Sequence, residues 1–141
     1  MDSKQVALVQ QTFEKAAGLG EKVADIFYAE LFAIEPSLQK MFTSDFSEQK
    51  RKLLAALAMV VRSLHMPEAI LRPAQTLAVK HVEYGVKPEH YAIVGSALLN
   101  TLRKGLGADF TADVEAAWTE AYHTLASIMK DAAYGGQEKT A

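Results

Sequence analysis

At 141 residues the chain has room for one domain with a real hydrophobic core, and not for two enzymatic halves. Half of it is hydrophobic and 23% is charged, an ordinary globular composition, and a formal net charge of −2 offers no basic field to nucleic acid or an anionic membrane. There is no cysteine, which removes disulfides, thiolate nucleophiles, sulfur-ligated zinc, iron–sulfur clusters and thioether-linked prosthetic groups, so any cofactor is held non-covalently.

Helical periodicity begins near the N-terminus. Met1-Asp2-Ser3-Lys4-Gln5 shows no charged-then-apolar signal pattern, so the expected location is the cytoplasm. Val6, Val9 and Phe13 then recur at helical spacing until Gly18-Leu19-Gly20 interrupts them. Val23, Phe27 and Leu31 resume the pattern as far as Glu35-Pro36, because the residue before a proline is disfavoured in the helical region. Pro36 suits the first turn of a short helix running to Phe42. Residues 43–46 read as a loop, with Asp45 or Ser47 as the next N-cap.

A longer helix places Leu53, Leu57, Val60, Val61 and Leu64 on one side. Residues 53–61 are the longest apolar run, far short of the roughly 20 residues of a membrane span. Pro67 and Pro73 bracket an irregular stretch, followed by a short helix over residues 75–82. Gly85 and Pro88 separate it from a helix carrying Tyr91, Val94, Leu98 and Leu102, which Gly105 and Gly107 end. Thr111 caps a last helix showing Val114, Trp118, Ala121, Leu125 and Ile128 or Met129. With no period-2 alternation and no internal repeat, the expectation is all-α. A single domain of six to seven unequal, obliquely crossing helices spans residues 1–133, and residues 134–141 form a flexible tail.

Several motifs fail on context. Gly18-Leu19-Gly20-Glu21-Lys22-Val23 starts like a dinucleotide fingerprint, but Val23 replaces the third glycine and a helix, not a strand, precedes it. It reads as a helix–helix turn. No phosphate loop, Gly-x-Ser-x-Gly elbow or His-Glu-x-x-His is present. Asp25, Glu30 and Glu35 fall on differing helix faces and read as solvated acids. Lys50-Arg51-Lys52 is either a solvated face or a place where a lysine meets a cofactor carboxylate.

Four histidines remain: His65, His81, His90 and His123. His81 follows Leu77 and Ala78 at the spacings that share a helix face, so its imidazole points where apolar side chains point. An imidazole in an apolar pocket needs a partner, and a metal is one of the few that satisfies it.

Five segments together resemble one family. They are Ile26-Phe27-Tyr28-Ala29-Glu30-Leu31-Phe32 with Pro36 and Phe42; Ser47-Glu48-Gln49-Lys50-Arg51-Lys52-Leu53; Ala78-Val79-Lys80-His81-Val82-Glu83-Tyr84-Gly85-Val86; His90-Tyr91-Ala92-Ile93-Val94-Gly95; and Ala117-Trp118-Thr119-Glu120-Ala121-Tyr122. In order and spacing they resemble the globins, specifically single-domain bacterial haemoglobins and the haem domain of flavohaemoglobins. The resemblance implies a globin fold around a haem pocket holding haem b (iron protoporphyrin IX), with His81 as the proximal iron ligand. It further implies Phe42 flat on the porphyrin, Tyr28 and Gln49 as distal polar residues, and Leu53 as the apolar residue beside the ligand. Lys52 and Lys80 are implied at the cofactor, Lys52 near a propionate, and Val86, Tyr91 and Val94 on its proximal side.

The implied chemistry is physical. A polarised oxygen ligand in an apolar cavity is stabilised by the Tyr28 O–H and the Gln49 amide N–H. Two such bonds at about 1.5–3 kcal/mol each slow release by about a hundredfold or more. Tight oxygen binding suits reaction with nitric oxide better than oxygen delivery. The resemblance also shows a departure: Ala133 stands where flavohaemoglobins carry the glutamate that, with a tyrosine matching Tyr91, polarises the proximal histidine, and Asp131 faces elsewhere. Peroxidase-type electron push is therefore expected to be weak. No flavin-and-nicotinamide module follows the last expected helix, so nitric oxide dioxygenation is expected to need an external reductase. The expected ligands are oxygen, nitric oxide and carbon monoxide, with no nucleic acid or membrane partner. The competing readings are a haem-based sensor or interaction module, and a haem protein with peroxidase or sulfide-related chemistry.

Overall fold

The computed structural model of the chain describes residues 1–41, 46–83 and 86–140. Within them the order is α1 (Ser3–Ala17), α2 (Glu21–Ile34), a 3₁₀ turn (Pro36–Met41), α3 (Phe46–Arg62), α4 (Pro67–Glu83), α5 (His90–Leu106), a second 3₁₀ turn (Gly107–Asp109) and α6 (Ala112–Thr140). The all-α expectation holds. No helix among the described residues is long and apolar enough to cross a membrane.

Local chemistry sets most boundaries. Asp2 and Gln5 cap α1 reciprocally: the Gln5 N–H donates to Asp2 Oδ1 at 2.8 Å and the Asp2 N–H to Gln5 Oε1 at 3.3 Å. Gly20, at φ 63°, turns the chain into α2, a conformation costly for any residue with a Cβ. The glycine motif at 18–20 is thus the helix–helix turn its context suggested. Thr111 Oγ1 accepts the Val114 N–H at 3.2 Å and caps α6, while Gly107, at φ 57°, closes α5. Gly105 lies inside α5 and does not end it.

Several boundaries differ from expectation. α4 starts at Pro67 and continues through Pro73, where an irregular stretch was expected. Pro67 occupies the first helical position, which needs no N–H. Pro73 forfeits one backbone bond, but Ile70, Ala74 and Ala78 form a buried row at four-residue spacing, and α4 packs on α6. Burial of that row outweighs the lost bond. α6, in turn, stays helical to Thr140, beyond Ala133 where the apolar repeat stops. Extending a nucleated helix costs little per residue, and Gly135-Gly136 add only about 1 kcal/mol each. Phe46 is already helical, so Ser47 lies within α3, and Leu64 is buried just beyond its end. Asp45 and Gly85 lie outside the described residues.

The core joins these helices into one body. Val9, Phe13 and Ala16 of α1 meet Val114, Ala117, Trp118 and Ala121 of α6. The Trp118 Nε1–H donates to Thr12 Oγ1 at 2.8 Å, and that hydroxyl donates to the Leu8 carbonyl at 2.6 Å, so both buried groups are satisfied. α2 lies on α5, α3 leans on α1 and α2, and α4 leans on α6. α3 and α4, consecutive in the chain, touch each other at most sparsely. The candidate site draws Tyr28 from α2, Gln49 and Leu53 from α3, and His81 from α4.

Candidate functional site

On α4, His81 Nδ1 lies 2.6 Å from the Leu77 carbonyl oxygen. A carbonyl only accepts, so Nδ1 carries the proton and Nε2 keeps its lone pair. The acceptor is the carbonyl four residues earlier on the same helix, which fixes the ring to its own backbone. The imidazole is half-buried, with Leu77 half-buried and Ala78 fully buried beside it. Among the described residues no group of three or more His, Cys, Asp or Glu side chains converges to hold a metal. A single oriented imidazole suits a metal that brings most of its own ligands with it, and the residues present fit such a group.

Beyond α4 the chain turns by the Val86 N–H donating to the His81 carbonyl at 3.0 Å, and Val86 packs against the core. Tyr91, on the first turn of α5, is buried. Its carbonyl accepts the Tyr122 hydroxyl of α6 at 2.6 Å. The Tyr122 ring fills the notch left by Gly95, where a Cβ would stand 2.7 Å from Cε2. Burial first, and then the neighbouring Tyr91, pushes the Tyr122 hydroxyl far above its ordinary value. Val94 is half-buried on the same helix. Ala133 is half-buried against the core, whereas Asp131 is exposed.

On the other side, Tyr28 of α2 is 5% exposed, edge-on to Phe27 at 5.2 Å and stacked on Phe32 at 6.0 Å. Burial pushes its hydroxyl above the ordinary value of 10.0, and a side-chain hydrogen bond with Gln49 of α3 pulls back part of that rise. Leu53, one turn after Gln49, is half-buried against the core. The structure therefore brings Tyr28 and Gln49 together and holds His81 in one tautomer.

Other expected site residues stand apart. Lys52 is 61% exposed and sits 3.7 Å from Glu48, its i,i+4 neighbour. Lys80 is exposed on α4. Phe42 and Tyr84 lie outside the described residues. Glu30, expected in solvent, is mostly buried and paired with Lys104, with the Asn100 amide 3.5 Å away. Lys50 meets Asp25 across α3 and α2 at 2.5 Å, a pair hidden in sequence because its members lie on different helices. Tyr122 had a readable signal, since a glycine inside an apolar helix face often marks a close approach by another side chain.

Residues 25–129 match the globin family model. The chain is 34% identical over 126 residues to a flavohemoprotein of Bordetella pertussis and 30% identical over 134 residues to one of Vibrio cholerae. These alignments cover 87% and 93% of this chain but 31% and 34% of theirs, so the chain spans about a third of the length of those relatives. Among solved structures, a bacterial globin from Campylobacter jejuni superposes with a TM-score of 0.83 at 25% identity, over 97% of this chain and 99% of its own. An engineered carbene transferase from Rhodothermus marinus superposes with a TM-score of 0.86 at 24% identity, over 99% and 98%.

Proposed function

This chain belongs to the globin family and is a haem-binding globin, and from that premise we propose that it holds haem b through His81 and retains oxygen tightly for reaction with nitric oxide. The observation that carries the proposal is the His81 Nδ1–H bond to the Leu77 carbonyl, which leaves Nε2 as the coordinating nitrogen. When bound, haem supplies reversible binding of diatomic ligands at its iron.

The chain's own residues supply selectivity. Tyr28, buried and with its pKa raised, stays protonated at neutral pH and acts as a donor. Gln49 hydrogen-bonds the phenol and limits where its proton points. Phe27, Phe32 and Leu53 keep water out, and a hydrogen bond in such surroundings is electrostatically stronger than in water. On the proximal side the Leu77 carbonyl is a neutral acceptor, weaker than a carboxylate, and Ala133 adds no acid. That combination favours ligand retention over peroxidase-type chemistry. The curated relatives are flavohemoproteins, and the Rhodothermus protein is described as a candidate nitric oxide dioxygenase. By analogy, turnover as a dioxygenase here needs an electron donor.

The test is stopped-flow oxygen release from wild type, Tyr28→Phe and Gln49→Leu, with haem content measured for His81→Ala. His81→Ala is expected to lose the Soret signature of a histidine-ligated haem. Tyr28→Phe is expected to speed release by about tenfold or more, since a bond to a polarised acceptor is worth about 1.5–3 kcal/mol. Unchanged release in both distal variants would overturn the retention mechanism, and an unchanged spectrum in His81→Ala would overturn the ligand assignment.

A further inference from the structure

Gln49 and Lys50 are neighbours in the first turns of α3, and both reach the same helix. Gln49 hydrogen-bonds Tyr28, and Lys50 Nζ meets Asp25 Oδ1 at 2.5 Å. Asp25 and Tyr28 lie three residues apart on α2, one turn along one face. Glu21, four residues before Asp25, lies on that face as well and also attracts Lys50. From Glu21 to Phe32 the ridge therefore reads acid, acid, tyrosine, phenylalanine, and the opening of α3 is fastened to it at two adjacent points.

We infer that the Asp25–Lys50 ion pair is a latch that sets where Gln49 stands against Tyr28, so that ligand retention in the pocket responds to ionic strength. The inference rests on the reading of Tyr28 and Gln49 as the distal pair. Lys50 is 23% exposed, better shielded than Lys52 at 61%, and its charge sits near the positive end of the α3 dipole, where a cation is disfavoured unless an acid faces it. Asp25 supplies that acid. Lys50 is accordingly held above its ordinary pKa, chiefly by its hydrogen bond to Asp25. Releasing the pair frees α3 to shift on α2, and Gln49, one residue away, moves with it. Asp25 and Lys50 are positioning residues and act through Gln49.

The experiment compares oxygen release and the carbon monoxide C–O stretching frequency in wild type, Asp25→Asn, Lys50→Met and the swap Asp25→Lys/Lys50→Glu. At low salt each single variant is expected to release oxygen about two- to fivefold faster and to shift the C–O stretch, as befits a partly exposed pair. Near 1 M salt, where the Debye length falls to about 3 Å, wild type should approach the variants. The swap should restore wild-type release. In a Gln49→Leu background, Asp25→Asn should change nothing further, because its effect runs through Gln49. A faster Asp25→Asn that persists in the Gln49→Leu background, or a wild-type rate indifferent to salt, would overturn the latch. Should Tyr28→Phe and Gln49→Leu speed release while Asp25→Asn and Lys50→Met do not, the latch fails and the distal pair stands. Should none of the four matter, both fail.

Discussion

His81 gives its Nδ1 proton to the carbonyl one helical turn behind it, and the chemistry of the other nitrogen follows from that single bond. Tyr28 and Tyr122 illustrate the opposite case, groups held in their neutral form because burial makes the charged form costly. A phenol with a higher pKa folded than unfolded contributes stability that is complete below the unfolded value near 10.0 and is lost as pH rises through the folded value. Stability is therefore expected to decline above pH 10, with these two phenols ionising above the ordinary tyrosine range. Phenolate absorbance followed beside far-ultraviolet circular dichroism checks this: four or all of the five tyrosines titrating reversibly near pH 10 in a fully helical protein would contradict it. Individual residue roles were only partly legible in sequence. His81 stood out through its spacing from Leu77 and Ala78, whereas Lys50 gave no sign of its partner because Asp25 lies on another helix.

At the scale of elements, close approach is decided by small residues and buried polar pairs. α5 meets α6 where Gly95 admits the Tyr122 ring, and that ring cannot swing aside because its hydroxyl is tied to the Tyr91 carbonyl. Gly95→Ala is expected to destabilise the fold by about 1–3 kcal/mol through overpacking, read from urea midpoints. A neutral result would mean that α5 and α6 separate freely. α1 meets α6 through Trp118 and Thr12, and Thr12→Val leaves the indole N–H buried without its acceptor. That change should cost about 1–3 kcal/mol, and the companion Thr12→Ser, which keeps the hydroxyl, should recover most of it. Helix edges were well marked by Gly20, Gly107 and Thr111, each with a side-chain or backbone reason to stop or start a helix, whereas the Asp2 cap emerged only from the structure. α4 was not, because Pro73 signals a break by its own geometry and only burial of Ile70, Ala74 and Ala78 overrides it.

At the scale of the molecule, the consecutive helices that carry Gln49 and His81 rest on different neighbours, α3 on α1 and α2, α4 on α6. Haem held through His81 would be bound by the folded chain only, and would stabilise it by about 4 kcal/mol at a thousandfold excess over its dissociation constant. Removing haem is expected to lower the melting temperature and to speed amide exchange first in α4, residues 67–83, ahead of α1 and α6. Uniform exchange across the helices of the haem-free protein would show that α4 needs no cofactor to stay docked.

The sequence by itself determined the helical class, most helix ends, and His81 as the imidazole to watch, because periodicity, capping and i−4 spacing are local and need no knowledge of neighbours. Tertiary structure alone decided that α4 passes through Pro73, that Gln49 turns its amide to Tyr28, and that Asp25 holds Lys50. Those outcomes depend on which helices lie against each other, and burial and electrostatics between distant positions act only once the chain has brought them together.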